Sequence, residues 1–136
     1  MEAGKETTRG RVLVVEDDPA LRNVIRFNLQ AAGFEVLAGR DGAQGWELAQ
    51  REAVDMVVTD MQMPSMTGLE LCQKLRGDVR FAQLPVLMLT AKGLELDHER
   101  LRAELGVVEV MFKPFSPKQL ARAVAQHLGA AAGQRA

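Results

Sequence analysis

The sequence predicts an α/β fold, a parallel sheet with helices on both faces. Two observations carry that reading. Five short apolar runs (12–15, 34–38, 56–58, 85–89 and 107–112) are each followed by a segment with helical character. The runs at 12–15 and 56–58 are also continuously apolar rather than alternating, as in strands covered on both faces. Strand then helix, five times over, implies parallel pairing through right-handed crossovers.

Each element has its local reason. Val12, Leu13, Val14 and Val15 form the first strand and run into Glu16-Asp17-Asp18-Pro19. Asp18 before Pro19 has the form of an N-cap followed by proline in the first turn. Leu21, Val24, Ile25 and Leu29 give one buried helical side, and Gly33 is a natural stop. Residues 34–38 form a short strand, and Asp41-Gly42 opens a helix carrying Trp46 and Leu48. The central strand ends on Asp60, and a turn, Met61 to Thr67, leads into a helix over 67–76 with Leu71 and Leu75 on one side. After a loop over 77–84, Val86 to Leu89 lead to Thr90. A helix over 95–105 stacks Leu101 on Leu105 and closes at Gly106. The fifth strand, 107–112, ends on Lys113-Pro114-Phe115, and Ser116-Pro117 begins a last helix with Leu120, Val124 and Leu128 on one face. Residues 1–10 and the Ala/Gly-rich 129–136 read as flexible tails around one domain over 11–128.

Composition bounds the function. A chain of 136 residues can bury roughly 70% of its unfolded surface, so its core needs no crosslinks. Net charge is −1, with 17 basic and 18 acidic residues interspersed, which argues against binding nucleic acid or anionic membrane through bulk charge. The one cysteine, Cys72, excludes an internal disulfide, fits a reducing compartment and lies on an apolar helix face suited to packing. No apolar run approaches the ~20 residues of a membrane span, and the first residues are polar, so a cytoplasmic protein is expected. His98 reads as solvated, and His127 as a residue beside the negative end of the last helix.

Four strands end on reactive groups: Glu16-Asp17, Asp60, Thr90 and Lys113. In a parallel sheet these ends share one edge, where α/β folds bind ligands. Taken singly, each is more often a helix start, a loop hydroxyl or a strand exit. Taken together, three carboxylates at one edge repel one another unless a cation joins them. Oxygen ligands suit a hard cation such as Mg²⁺ or Mn²⁺. A carboxylate nucleophile, a cation and a lysine are the parts phosphoryl transfer requires.

The segments VLVVEDDP, VVTDMQMPSMTGLEL, PVLMLTA and VMFKPF together resemble the receiver domain of two-component response regulators, of the single-domain chemotaxis type, over about residues 11–128. The resemblance implies a flavodoxin-like five-stranded sheet of order 2-1-3-4-5 with five helices. It implies that Asp60 accepts a phosphoryl group from a sensor histidine kinase or phosphotransfer protein. Asp17, Asp60 and the backbone carbonyl of Gln62 would hold Mg²⁺, with Glu16 acting through a bound water. Thr90 and Lys113 would contact the phosphoryl oxygens, and the Lys113-Pro114 bond would be cis. Such a protein is a switch rather than a metabolic enzyme. It would signal to a protein target or a second copy through the face of the fourth helix, fifth strand and fifth helix, without direct contact to nucleic acid or membrane.

Three positions qualify the resemblance. Val110 stands where the family usually carries an aromatic that swings inward, so the readout is expected in 90–105 instead. Gln62 and Lys92 occupy positions that tune loss of the phosphoryl group. The rival reading is a phosphorylation-independent interaction module, opposed by the intact Glu16, Asp17, Asp60, Thr90 and Lys113. A hydrolase of the haloacid dehalogenase type is opposed by Gln62, where such enzymes carry a second aspartate.

Overall fold

A computed structural model describes residues 9–91 and 97–135, with side chains as far as 129. Strand β1 (Arg11–Val15) leads to α1 (Pro19–Ala31), β2 (Glu35–Gly39), α2 (Gly42–Arg51), β3 (Met56–Asp60) and α3 (Gly68–Arg76). A 3-10 turn (Val79–Phe81) precedes β4 (Val86–Ala91), α4 (His98–Leu105), β5 (Val107–Lys113) and α5 (Pro117–Arg135). All four strand pairings are parallel, in the order β2-β1-β3-β4-β5. This is the doubly wound architecture the sequence predicts.

Because side chains alternate across a strand, each central strand feeds two cores. Val12, Val14, Val58, Leu87 and Leu89 pack with Ile25 and Leu29 of α1 and with Leu120 and Val124 of α5. Leu13, Val15, Val57 and Met88 pack on the other face with Leu71, Cys72 and Leu75 of α3 and Leu101 of α4. Cys72 is fully buried, and burial pushes its thiol up to about 12, as befits a packing residue.

The helix starts follow local chemistry. The Asp18 carboxylate accepts from Ala20 N at 3.0 Å with Pro19 in the first turn, and Asp41 accepts from Gln44 N at 2.8 Å. At α3 the Thr67 hydroxyl accepts from Glu70 N at 3.1 Å while Thr67 N donates to the Glu70 carboxylate at 2.8 Å, a complete capping box. That box fixes α3 against the end of β3, where Asp60 lies.

Five expectations need correction, the first being Val24, which is exposed rather than on the buried side of α1. Helix α4 begins at His98 rather than at 95, because the Asp97 side chain caps it through Arg100 N; residues 95 and 96 lie outside the described residues. Helix α5 continues through Arg135, past Leu128, since alanines prolong a helix. His127 is therefore not beside a helix end: its Nε2 lies 2.8 Å from Glu109 Oε1 on β5. At the other terminus, Arg9 N donates to Gly33 O and Gly10 O accepts from Glu35 N, which ties these two residues to the sheet edge. The remainder of the expected tail, 1–8, lies outside the described residues. His98 is exposed, as expected, and packs obliquely on Phe112 with ring centroids 6.3 Å apart.

Candidate functional site

The carboxyl edge of the sheet gathers charge that the sequence scatters over a hundred residues. Glu16 and Asp60 are 1% and 2% exposed, at the ends of β1 and β3, while Asp17 faces solvent beside them. One carboxylate oxygen from each of Glu16, Asp17 and Asp60 lies within 4.8 Å of the other two. Lys113, at the end of β5, places Nζ 3.1 Å from Asp60 Oδ2 and 3.3 Å from Glu16 Oε1. The Lys113-Pro114 peptide is cis, as the resemblance implies.

Neighbouring backbone steadies the carboxylates. Asp18 N donates to Glu16 Oε2 at 3.1 Å, Arg22 donates to the Glu16 carbonyl at 2.9 Å, and Gln62 N makes a long 3.5 Å contact to Asp60 Oδ1. Electrostatics at this edge are unbalanced. Burial pushes the Glu16 carboxyl from 4.5 up to about 7; the charge of Asp60 adds to this, while the Asp18 N–H and Lys113 oppose it. Burial alone would lower the Lys113 ammonium, but hydrogen bonding and charge from Asp60, then from Glu16, outweigh it and raise its pKa. One ammonium thus serves two buried carboxylates with a third nearby. The all-oxygen donor set and its surplus negative charge fit a hard divalent cation.

The other expected residues separate. Thr90 is fully buried at the end of β4, and its hydroxyl donates to Met61 Sδ at 3.4 Å. Gln62 is exposed in the loop after β3, and its Oε1 accepts from Ala91 N at 3.3 Å. Val110 is half-buried and packs against the core on the α3–α4 side of the sheet. Lys92 lies outside the described residues, as do residues 93–96 of the 90–105 segment in which a readout was expected. Sequence reasoning missed Met61, Arg22 and the amide of Asp18 as parts of the site. A thioether, a surface arginine and a backbone N–H carry no signal in composition or spacing.

An apolar recess opens beside Lys113, lined by Leu21, Ala91, Pro114 and Phe115. Over residues 12–125 the chain matches the family model described as the response regulator receiver domain. The chain belongs to that family.

This receiver is 36% identical over 110 residues to the alkaline phosphatase synthesis transcriptional regulatory protein PhoP of Bacillus subtilis (strain 168), an alignment covering 81% of this chain and 45% of that protein. It is also 36% identical over 123 residues to the DNA-binding response regulator MtrA of Mycolicibacterium smegmatis, covering 90% of this chain and 52% of that one. The receiver spans about half the length of these curated relatives. Among solved structures it is similar to the chemotaxis protein CheY4 of Vibrio cholerae, at 30% identity and TM-score 0.78 over 86% of this chain and 97% of that one. It is similar as well to the receiver domain of sensor histidine kinase PA1611 from Pseudomonas aeruginosa, which has a magnesium ion coordinated in its active-site cleft. There the identity is 28% and the TM-score 0.77, over 88% of this chain and 98% of that chain. As a member of the family, this receiver is a signalling module of two-component systems. Among the described residues no helix is long and apolar enough to cross a membrane.

Proposed function

We propose that this receiver is a phosphorylation switch in which Asp60 accepts a phosphoryl group from the phosphohistidine of a sensor kinase or phosphotransfer protein. An Asp60 oxygen forms the new bond to phosphorus as the P–N bond to the donor imidazole breaks, and the electron pair of that bond stays on the imidazole. The observation that carries this reading is the convergence of Lys113 Nζ on both Asp60 and Glu16, with Asp17 completing a three-carboxylate cluster.

Each residue has a distinct part. Lys113 offsets negative charge on the transferred group, and Thr90 supplies a hydroxyl donor once it turns from Met61. Asp17, Asp60 and the Gln62 carbonyl would hold Mg²⁺, or Mn²⁺, with Glu16 behind a water; the ion supplies charge neutralisation of the phosphoryl oxygens. The apolar recess beside Lys113 suits the flat imidazole of the donor. Gln62 and Lys92 tune the lifetime of the acyl phosphate. Output passes by protein contact or self-association through α4, β5 and α5, a face that carries the partly exposed Phe112.

Incubation with phosphoramidate or acetyl phosphate and Mg²⁺, followed by intact mass, tests the reading. One phosphoryl group is gained by the wild type, none by Asp60→Asn, and none after chelation. A wild type that gains nothing under these conditions returns the protein to the class of phosphorylation-independent modules.

A further inference from the structure

The partner of the Thr90 hydroxyl in this structure is a sulfur atom. Thr90 is fully buried, and among the described residues Met61 Sδ, at 3.4 Å, is the hydroxyl's hydrogen-bond partner. Met61 is held on both sides by its own backbone: its N–H donates to Leu89 O at 2.7 Å, and its carbonyl accepts from Gly68 N at 2.9 Å. It is 6% exposed, so its side chain is packed as well. Immediately beyond, Gln62 Oε1 accepts from Ala91 N, a second bridge from the loop after β3 to the end of β4.

A thioether is a weak acceptor. It satisfies a buried hydroxyl well enough to fix its direction, but a charged phosphoryl oxygen is the stronger acceptor by roughly twofold. An acceptor of this grade holds Thr90 at rest and releases it to an anion. We propose that Met61 is a positioning residue: its sulfur keeps the Thr90 hydroxyl occupied in the unphosphorylated protein and thereby sets how readily Thr90 turns to the phosphoryl group. This rests on the reading of Asp60 as phosphoacceptor and Thr90 as a donor to the group it receives. With a valine at position 110, the β3–β4 contact is where the resting state is held.

The test is a double-mutant cycle read with beryllofluoride and Mg²⁺, a mimic of the aspartyl phosphate. Met61→Leu conserves volume and removes the acceptor. It leaves the resting hydroxyl without a partner, so Kd for beryllofluoride falls by about two- to tenfold, the range of one net hydrogen bond. In a Thr90→Val background the same substitution leaves Kd unchanged. An equal gain in both backgrounds assigns Met61 to packing alone and overturns the proposal, as does no gain in either. Without any ligand, the Thr90 γ-methyl carbon resonance shifts in Met61→Leu; an unchanged resonance also overturns it. Should Met61→Leu fail to fold, the Met61 ε-methyl resonance is compared between wild type and Thr90→Val, and invariance decides against the contact. A wild type that binds no beryllofluoride refutes the phosphoacceptor reading instead, and the ligand-free spectra still judge the Met61 contact.

Discussion

The two edges of the sheet carry similar charges under different conditions. At the carboxyl edge, Lys113 meets Glu16 and Asp60, whose side chains are 1% and 3% exposed. At the amino edge, Arg11 reaches Glu35 at 2.9 Å and Glu52 at 3.5 Å, with carboxylates 52% and 42% exposed. Water screens the second cluster, so its pairs contribute little. At the first cluster burial leaves Glu16 holding a proton near neutrality. The amino edge has a half-buried cation too, yet it is differently supported. Arg76 donates to the carbonyls of Leu105, Phe81, Leu84 and Gly106, at 2.7, 2.6, 2.5 and 3.3 Å, and joins α3, the 3-10 turn and the end of α4. Its guanidinium is solvated by peptide dipoles. Charge opposed by fixed dipoles makes a structural joint, whereas charge opposed by crowded carboxylates makes a site for an incoming cation or anion.

The contrast can be broken at several points. The largest effect is expected for Lys113→Ala, which should slow phosphorylation by phosphoramidate roughly 10²-fold while the protein stays folded; a rate within twofold of wild type removes Lys113 from the chemistry. Arg76→Met should do the reverse. It strands several half-buried carbonyls and costs about 2–3 kcal/mol in urea unfolding, with phosphorylation of the folded protein unchanged. A neutral result there would mean that water replaces the guanidinium.

Glu16→Gln sharpens the electrostatic half of the comparison. The folded-state pKa of Glu16 is raised, so its contribution to stability is fully present below 4.5 and is lost as pH rises through about 7. Without divalent ions, the variant should therefore match wild type near pH 4 and exceed it at pH 8 by on the order of 2 kcal/mol. Thermal melts at the two pH values decide this, and an equal difference at both defeats the assignment. The smallest effect belongs to the amino edge: Glu35→Gln should change stability by less than about 1 kcal/mol, an effect that shrinks in salt, and should leave the phosphoryl gain intact. A salt-insensitive loss of several times that size would show the exposed cluster to be more than a solvated surface.

Most of the fold was legible because strand and helix signals agreed with each other and with their caps. The continuous apolar runs at 12–15 and 56–58 marked strands covered on both faces, the strand order came with the resemblance, and Asp18, Asp41 and Thr67 marked helix starts where the structure has them. What misled was local ambiguity. Glycine and alanine after Leu128 read as a tail although alanine sustains α5, and Asp97 outcompeted 95 as the start of α4. At the site, Glu16, Asp17, Asp60 and Lys113 could be placed together because parallel strands must deliver their ends to one edge. The orientation of Thr90 could not, since a rotamer is chosen by its neighbours, and the neighbour was a methionine with no evident chemistry. The partner of His127 was hidden for a related reason, because which α5 residue faces Glu109 depends on how the helix lies across β5.

The glycine that opens α3 has a mechanical implication. A β-carbon at Gly68 would lie 2.4 Å from the Asp60 carbonyl oxygen and 2.9 Å from the Met61 α-carbon, so helix and acceptor strand touch main chain to main chain. There is no side-chain cushion at that seam to absorb displacement. Movement near Asp60 is therefore either transmitted bodily to α3 or taken up in the short Gln62-to-Met66 turn, where Ser65 already has a left-handed backbone. A displacement at Asp60 thus has two routes, the body of the helix or those few turn residues.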